Sequence, residues 1–136
     1  MKKLLTLVVT IMTIAMIGTY VSAANQDIGY YISYGFDIGQ SVIFPTTRTL
    51  YLPGSSAVNN NISISNSFFY TSAYNEASTQ RVTASVALYS GNRVTMNYVN
   101  SQYENDVGAH YRLCMSNQSS YGNVASGSWA PNLSDR

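Results

Sequence analysis

The chain has 136 residues, with 7 Lys+Arg against 6 Asp+Glu, one histidine, one cysteine and 12 tyrosines. Only 10% of the residues are charged, and Arg48, Arg81, Arg93, Arg112 and Arg136 are scattered, so the clustered cations that displace counterions from nucleic acid or anionic lipid are missing. One histidine and one cysteine also leave almost no basis for a zinc site built within the chain.

Residues 1–23 read as a secretory signal peptide. Lys2 and Lys3 form a basic n-region, Leu4 to Val21 is an apolar run diluted by Thr and Gly, and Val21-Ser22-Ala23 offers small residues before a cut between Ala23 and Ala24. The run approaches the roughly 20 residues that span a bilayer, but no basic stop follows it, which favours removal over permanent anchoring. A lipid anchor has no cysteine at the cut. Without residues 1–23, which contain Lys2, Lys3 and Tyr20, the chain carries five basic groups against six acidic ones, a formal charge of −1, with no lysine and 11 tyrosines. Residues 24–136 are expected to form a single domain able to bury roughly 65% of the surface its unfolded chain exposes, so it needs no staple. Cys114 has no partner within the chain and reads as a buried thiol, with a reactive surface thiol or an interchain link as alternatives.

The first segment after the leader alternates over an unusual length. Ile28, Tyr30, Ile32, Tyr34, Phe36 and Ile38 share one parity and Gly29, Tyr31, Ser33, Gly35 and Asp37 the other, which predicts a strand with a bend near Gly35 or Gly39. Val42 and Phe44 continue the pattern until Pro45, which is expected to end it. Arg48 to Leu52 reads as a short strand closed by a type II turn at Pro53-Gly54. Ser55 to Asn61 reads as a polar loop, and Asn61 to Thr71 as a strand with Ile62, Ile64, Phe68 and Tyr70 on one side. Tyr74 to Ser78 has room for one helical turn.

Thr79 to Asn100 is the clearest segment. Val82, Ala84, Val86 and Leu88 alternate with polar or small neighbours, Ser90-Gly91-Asn92 interrupts, and Val94, Met96 and Tyr98 alternate again, predicting a hairpin with a positive φ at Gly91 or Asn92. Ser101 to Gly108 reads as a loop bearing Glu104 and Asp106. Ala109, Tyr111, Leu113 and Met115 then alternate with His110, Arg112, Cys114 and Ser116, and Tyr121 to Pro131 predicts a last strand that buries Trp129. An exposed Trp129 serving as a carbohydrate-stacking platform is the alternative. About seven strands and no convincing helix after the leader define an all-β fold, a single antiparallel β-sandwich or barrel.

The leader, the central alternating segment, Asn117-Gln118-Ser119-Ser120-Tyr121 and Val124-Ala125-Ser126-Gly127-Ser128-Trp129-Ala130-Pro131 resemble small exported β-rich proteins of unknown function from Gram-positive bacteria. The resemblance covers the export signal and roughly the last half of the chain, and implies an architecture but no catalytic residues. A more distant likeness is to secreted bacteriocins of the lactococcin type, which also join a signal peptide to a Tyr/Ser/Asn-rich β chain.

Chemistry finds little footing. His110 and Cys114 on one strand would stand roughly 13 Å apart, too far for a dyad. Ser126-Gly127-Ser128 lacks the flanking pattern of a nucleophile elbow. Glu104 and Asp106 could in principle serve as a glycosidase pair or as a fragment of a calcium loop, but solvating their loop is the simpler role. No catalytic residue, cofactor or metal is therefore expected, and no nucleic-acid partner. The expectation is a secreted, non-enzymatic protein, extracellular or associated with the cell wall, that acts by contact with cell-wall polysaccharide or an envelope protein through a Tyr/Asn/Ser surface. The alternative is a bacteriocin-like, pore-forming protein that inserts the 81–99 hairpin into a membrane. Fibre formation is a third possibility, allowed by the low charge and Asn/Ser/Tyr-rich strands.

Overall fold

The computed structural model describes residues 27–132. The leader and its cut at Ala23 and Ala24, as well as Arg136, lie outside the described residues. Eight strands run in chain order as β1 (Gly29–Phe36), β2 (Ser41–Thr49), β3 (Ala57–Ile64), β4 (Phe68–Asn75), β5 (Val86–Tyr89), β6 (Arg93–Met96), β7 (His110–Asn117) and β8 (Asn123–Ala130). One helical turn, α1 (Ser101–Asn105), precedes β7; the Asn100 side chain caps it by accepting from the Gln102 N–H.

The strands form two four-stranded antiparallel sheets, β1-β8-β3-β6 and β2-β7-β4-β5. This is an all-β sandwich, and its strand order is that of a double-sheet jelly roll. Sequential strands β1/β2, β3/β4, β5/β6 and β7/β8 each cross from one sheet to the other. The links 37–40, 65–67, 90–92 and 118–122 therefore share one end of the sandwich.

That topology corrects three expectations. The segment 81–99 does not form one two-stranded hairpin: β5 pairs with β4 and β6 with β3, in different sheets. Only the base keeps local pairing, through a bridge between Thr83 and Tyr98 and the bonds Ala84 N–H to Asn97 O and Val99 N–H to Val82 O. The arms then splay to cover both sides of the core, with Val82, Leu88 and Met96 fully buried. Gly91 does adopt a φ of 76° at the tip. The expected strand 61–71 is likewise two strands, broken at 65–67, where Ser67 has a φ of 55°. Finally, β2 runs through Pro45, which is tolerated because β2 is an edge strand with a register shift between Ile43 and Thr47. The Pro53-Gly54 turn is present, with Gly54 at a φ of 69°.

Parity in β1 also differs from the simple alternation. Tyr31 is 3% exposed, whereas Tyr30 and Ile32 are 69% and 78% exposed. Ser33 has a φ of 47°, and the register with β8 shifts between Tyr31 and Tyr34, so Phe36 returns to the core. The bulge thus falls earlier than Gly35. It allows Tyr31 and Phe36 to point inward from one strand despite their odd spacing.

The core combines aromatic contacts with buried amides. Phe36 packs on Phe69 at 4.6 Å between ring centroids, and Tyr31 and Tyr34 pack on Phe44 at 5.9 and 4.9 Å. Beside them, the Tyr31 hydroxyl donates to Asn59 Oδ1 at 2.7 Å, and Asn59 Nδ2 donates across the sandwich to Thr71 Oγ1 at 2.9 Å. Asn61 Nδ2 donates to the carbonyls of Ser63 and Ser126, both at 3.2 Å. Asn59 and Asn61 lie in a strand that begins inside the expected polar loop. Their amides are buried because each finds partners, which removes the usual penalty for burying them.

Gly127 sits where these groups converge. A Cβ there would strike the Tyr31 hydroxyl and come within 2.6 Å of the Asn60 carbonyl oxygen. We predict that Gly127→Ala lowers stability by about 1–3 kcal/mol, read from the urea midpoint. Burial also pushes the Tyr31 phenol up to about 12, only partly offset by its bonds to Asn61 and Asn59. A raised phenol stays neutral in the fold while the unfolded chain ionises near pH 10, so its contribution is complete below pH 10 and disappears towards pH 12. Stability should fall by about 2–3 kcal/mol for this group across that window, and Tyr31→Phe should show a shallower decline in urea titrations.

Candidate functional site

The two-residue period of β4 sends Phe69, Thr71 and Ala73 into the core and Phe68, Tyr70, Ser72 and Tyr74 outward. Alternation along 61–71 predicts Phe68 and Tyr70 on the same side as Ile62 and Ile64; the turn at 65–67 separates the two halves and gives the core position to Phe69. Register then aligns the outer face across the second sheet. Tyr89 lies beside Phe68, Ser116 and Ala87 beside Tyr70, Cys114 beside Ser72, and Arg112 beside Tyr74. A bridge places Arg81 on the other side of Tyr74.

One end of this face is aromatic. Phe68 contacts Tyr70 at 5.5 Å with planes at 80°, and Tyr89 at 5.2 Å with planes at 33°. Tyr70 and Tyr89 remain 41% and 50% exposed. The other end is cationic. The Arg112 guanidinium donates through Nε to the Glu76 carbonyl at 2.7 Å and through Nη1 to the Pro45 carbonyl at 2.6 Å. Neither Arg81 nor Arg112 has a carboxylate partner among the described residues; Arg48 pairs with Asp27 at 3.6 Å.

Between the ends lie Ser72 and Cys114, both buried although they point outward. Burial pushes the Cys114 thiol up, with hydrogen bonds to Ser72 and Ser116 and the nearby Arg81 pulling it partly back. The structure therefore gathers Cys114 with Ser72, Ser116 and Arg81, not with His110. His110 begins β7, its Nδ1 lying 3.2 Å from Thr49 Oγ1.

The remaining candidates are dispersed. Glu104 belongs to α1, and Asp106 follows that helix directly. Ser126 Oγ accepts from the Ser33 N–H at 2.8 Å. Trp129 is 3% exposed, so it is a core residue and not a stacking platform. Among the described residues no three His, Cys, Asp or Glu side chains gather to hold a metal, and no helix is long and apolar enough to cross a membrane. The sequence does not reveal the pairing of Tyr74 with both arginines, because Tyr74 to Ser78 has room for a helical turn where the structure continues β4. The signal available was the continued alternation Phe68, Tyr70, Ser72, Tyr74.

The fold and this face define the chain as a jelly-roll β-sandwich with a partly aromatic, partly cationic outer sheet surface. No family model matches the chain, and a search of curated proteins finds no match. A solved structure titled as that of the infectious bursal disease virus Gx strain is similar over 77% of this chain, with 14% identity and a TM-score of 0.40. This chain spans 31% of the length of that one.

The buried thiol yields a direct test. At pH 8, Cys114 in the native protein should react with an aromatic disulfide reagent about a hundredfold or more slowly than in denaturing urea, because only the exposed thiolate attacks. Rapid native labelling would show that the strands around Ser72 open easily.

Proposed function

We propose that this is a secreted, non-enzymatic contact protein that binds polysaccharide of the cell wall or extracellular matrix on the outer face of its second sheet. The observation that carries the reading is the aromatic cluster in which the half-buried Phe68 ring touches both exposed rings, Tyr70 and Tyr89, on two paired strands. Rings fixed on a sheet offer broad area at little entropic cost, and their apolar faces suit the C–H faces of sugar rings. The jelly-roll frame supports many unrelated functions, so this face, and not the fold, points to the ligand. An envelope protein is the other partner this surface would suit.

The membrane-active alternative would require residues 81–99 to leave the sandwich. That movement would expose Val82, Leu88 and Met96 from the core and break the pairing of β5 with β4 and of β6 with β3. Dye release from liposomes separates the two readings, with no release expected.

Tyr70→Ala and Tyr89→Ala should each weaken retention on insoluble cell-wall polysaccharide by about five- to tenfold, near 1 kcal/mol, with little change in the urea midpoint. Retention unchanged in both variants would remove this face as the contact surface.

A further inference from the structure

The outer face of the second sheet carries a second feature that bears on what its ligand must be, and the inference rests on the reading that this face binds polysaccharide. Arg112 and Arg81 stand on either side of Tyr74, in register and on the same face as the aromatic cluster. They are two strand spacings apart, roughly 10 Å, and the row they form lies four residues, roughly 13 Å, along β4 from Tyr70. A ligand touching both ends is therefore a chain of several sugar units, not a single one.

The two cations are unusual in their setting. Residues 24–136 carry a formal charge of −1, yet this row places two guanidinium groups together with no carboxylate partner among the described residues. Arg112 is also held in place by the carbonyls of Glu76 and Pro45, so binding there immobilises little that is not already fixed. A planar guanidinium matches a carboxylate with two parallel hydrogen bonds.

We infer that the ligand is a polysaccharide bearing uronic-acid carboxylates, its sugar rings lying on Phe68, Tyr70 and Tyr89 and its carboxylates meeting Arg81 and Arg112. A polyol phosphate chain would satisfy the arginines but offer no ring faces to the aromatic end. A single nucleic-acid strand would offer both rings and charge. It needs a cationic track along its whole backbone, however, and among the described residues the other arginines offer none: Arg48 pairs with Asp27, and Arg93 lies on β6 in the other sheet. A uronate polymer places a ring and a carboxylate in the same unit, which is the combination this face presents.

The test is a calorimetric titration of the purified protein with polygalacturonate, alginate and hyaluronate, each beside its carboxyl-reduced form, and with single-stranded DNA. At least one acidic polymer should bind about tenfold or more tightly than its reduced form, and the preference should shrink as salt rises. Arg81→Gln should remove most of that preference and Arg81→Lys should restore part of it. Arg81 is the informative position, because Arg112→Gln would also cut the ties to Glu76 and Pro45. Tyr70→Ala should weaken the acidic and reduced forms alike. Equal binding of acidic and reduced polymers would overturn the role of the arginines while leaving the polysaccharide reading intact. Absence of binding to every polymer by folded protein would overturn both, and DNA binding as tight as the best polymer would overturn the ligand class.

Discussion

The interaction on which the sandwich depends is the reach of one amide across its interior. Asn59 in β3 accepts from the Tyr31 hydroxyl in β1 and donates to the Thr71 hydroxyl in β4. It thereby ties two strands of the first sheet to the second sheet. Apolar contacts between the sheets are non-directional and would tolerate sliding, whereas a buried amide loses its partners if either sheet slips. Thr71 adds a bond to the Cys114 carbonyl at 3.4 Å, which extends the tie into β7. A second set of amides does comparable work at the end where the sheet-crossing links gather. Asn117 Nδ2 donates to the carbonyls of Asp37 and Tyr121, and Asn123 joins the 65–67 link through Ser65, Asn66 and its own donation to the Asn66 carbonyl. Buried asparagine amides thus close this fold in a chain with so few charges.

Those buried amides also explain which parts of the architecture were legible in the sequence. The strands β7 and β8 were readable because Tyr111, Leu113 and Met115, and later Trp129, follow plain alternation or aromatic content. The strand β3 was not, since Ala57-Val58-Asn59-Asn60-Asn61 looks like a polar loop until Asn59 and Asn61 acquire partners from distant segments. Parity failed in β1 and β4 for a related reason. Alternation assumes an uninterrupted strand, and the positive φ at Ser33 and at Ser67 each interrupt one with a residue that seldom takes that conformation. No glycine marked either break. The outer-face site suffered in turn, because a single strand over 61–71 puts Phe68 and Tyr70 on one side with Ile62 and Ile64 and hides the aromatic cluster, and the arginine row needs a pairing between residue 74 and residues 81 and 112 that only tertiary structure supplies.

Tyrosine has two separate uses in this molecule. Tyr31, Tyr98 and Tyr111 are inside or half inside, each with its hydroxyl bonded: Tyr31 to Asn59, Tyr98 to the Pro131 carbonyl and Tyr111 to the Tyr103 carbonyl. Tyr30, Tyr70 and Tyr89 are outside. The inner group gives volume and a directed bond at once, suiting a core where polar ties set the register. The outer group keeps apolar area at the surface while each hydroxyl keeps it wettable, so a chain with little charge can present a contact face without a wholly greasy patch.

Contact through faces is also what the edges leave available. β2 carries Pro45 and a register shift, and β1 is bulged at Ser33. β5 and β6, the other two edges, are four residues each. Every edge of both sheets is therefore bent, interrupted or short, and each of these devices discourages pairing with a further strand. The low charge and the Asn/Ser/Tyr content that suggested fibres are consequently carried by a frame whose edges resist edge-to-edge growth. Pro45 links this protection to the site itself. Its carbonyl, in the bulged stretch of β2, is one of the two that hold the Arg112 guanidinium on the outer face, so the irregularity that blunts the edge also positions a cation of the candidate site.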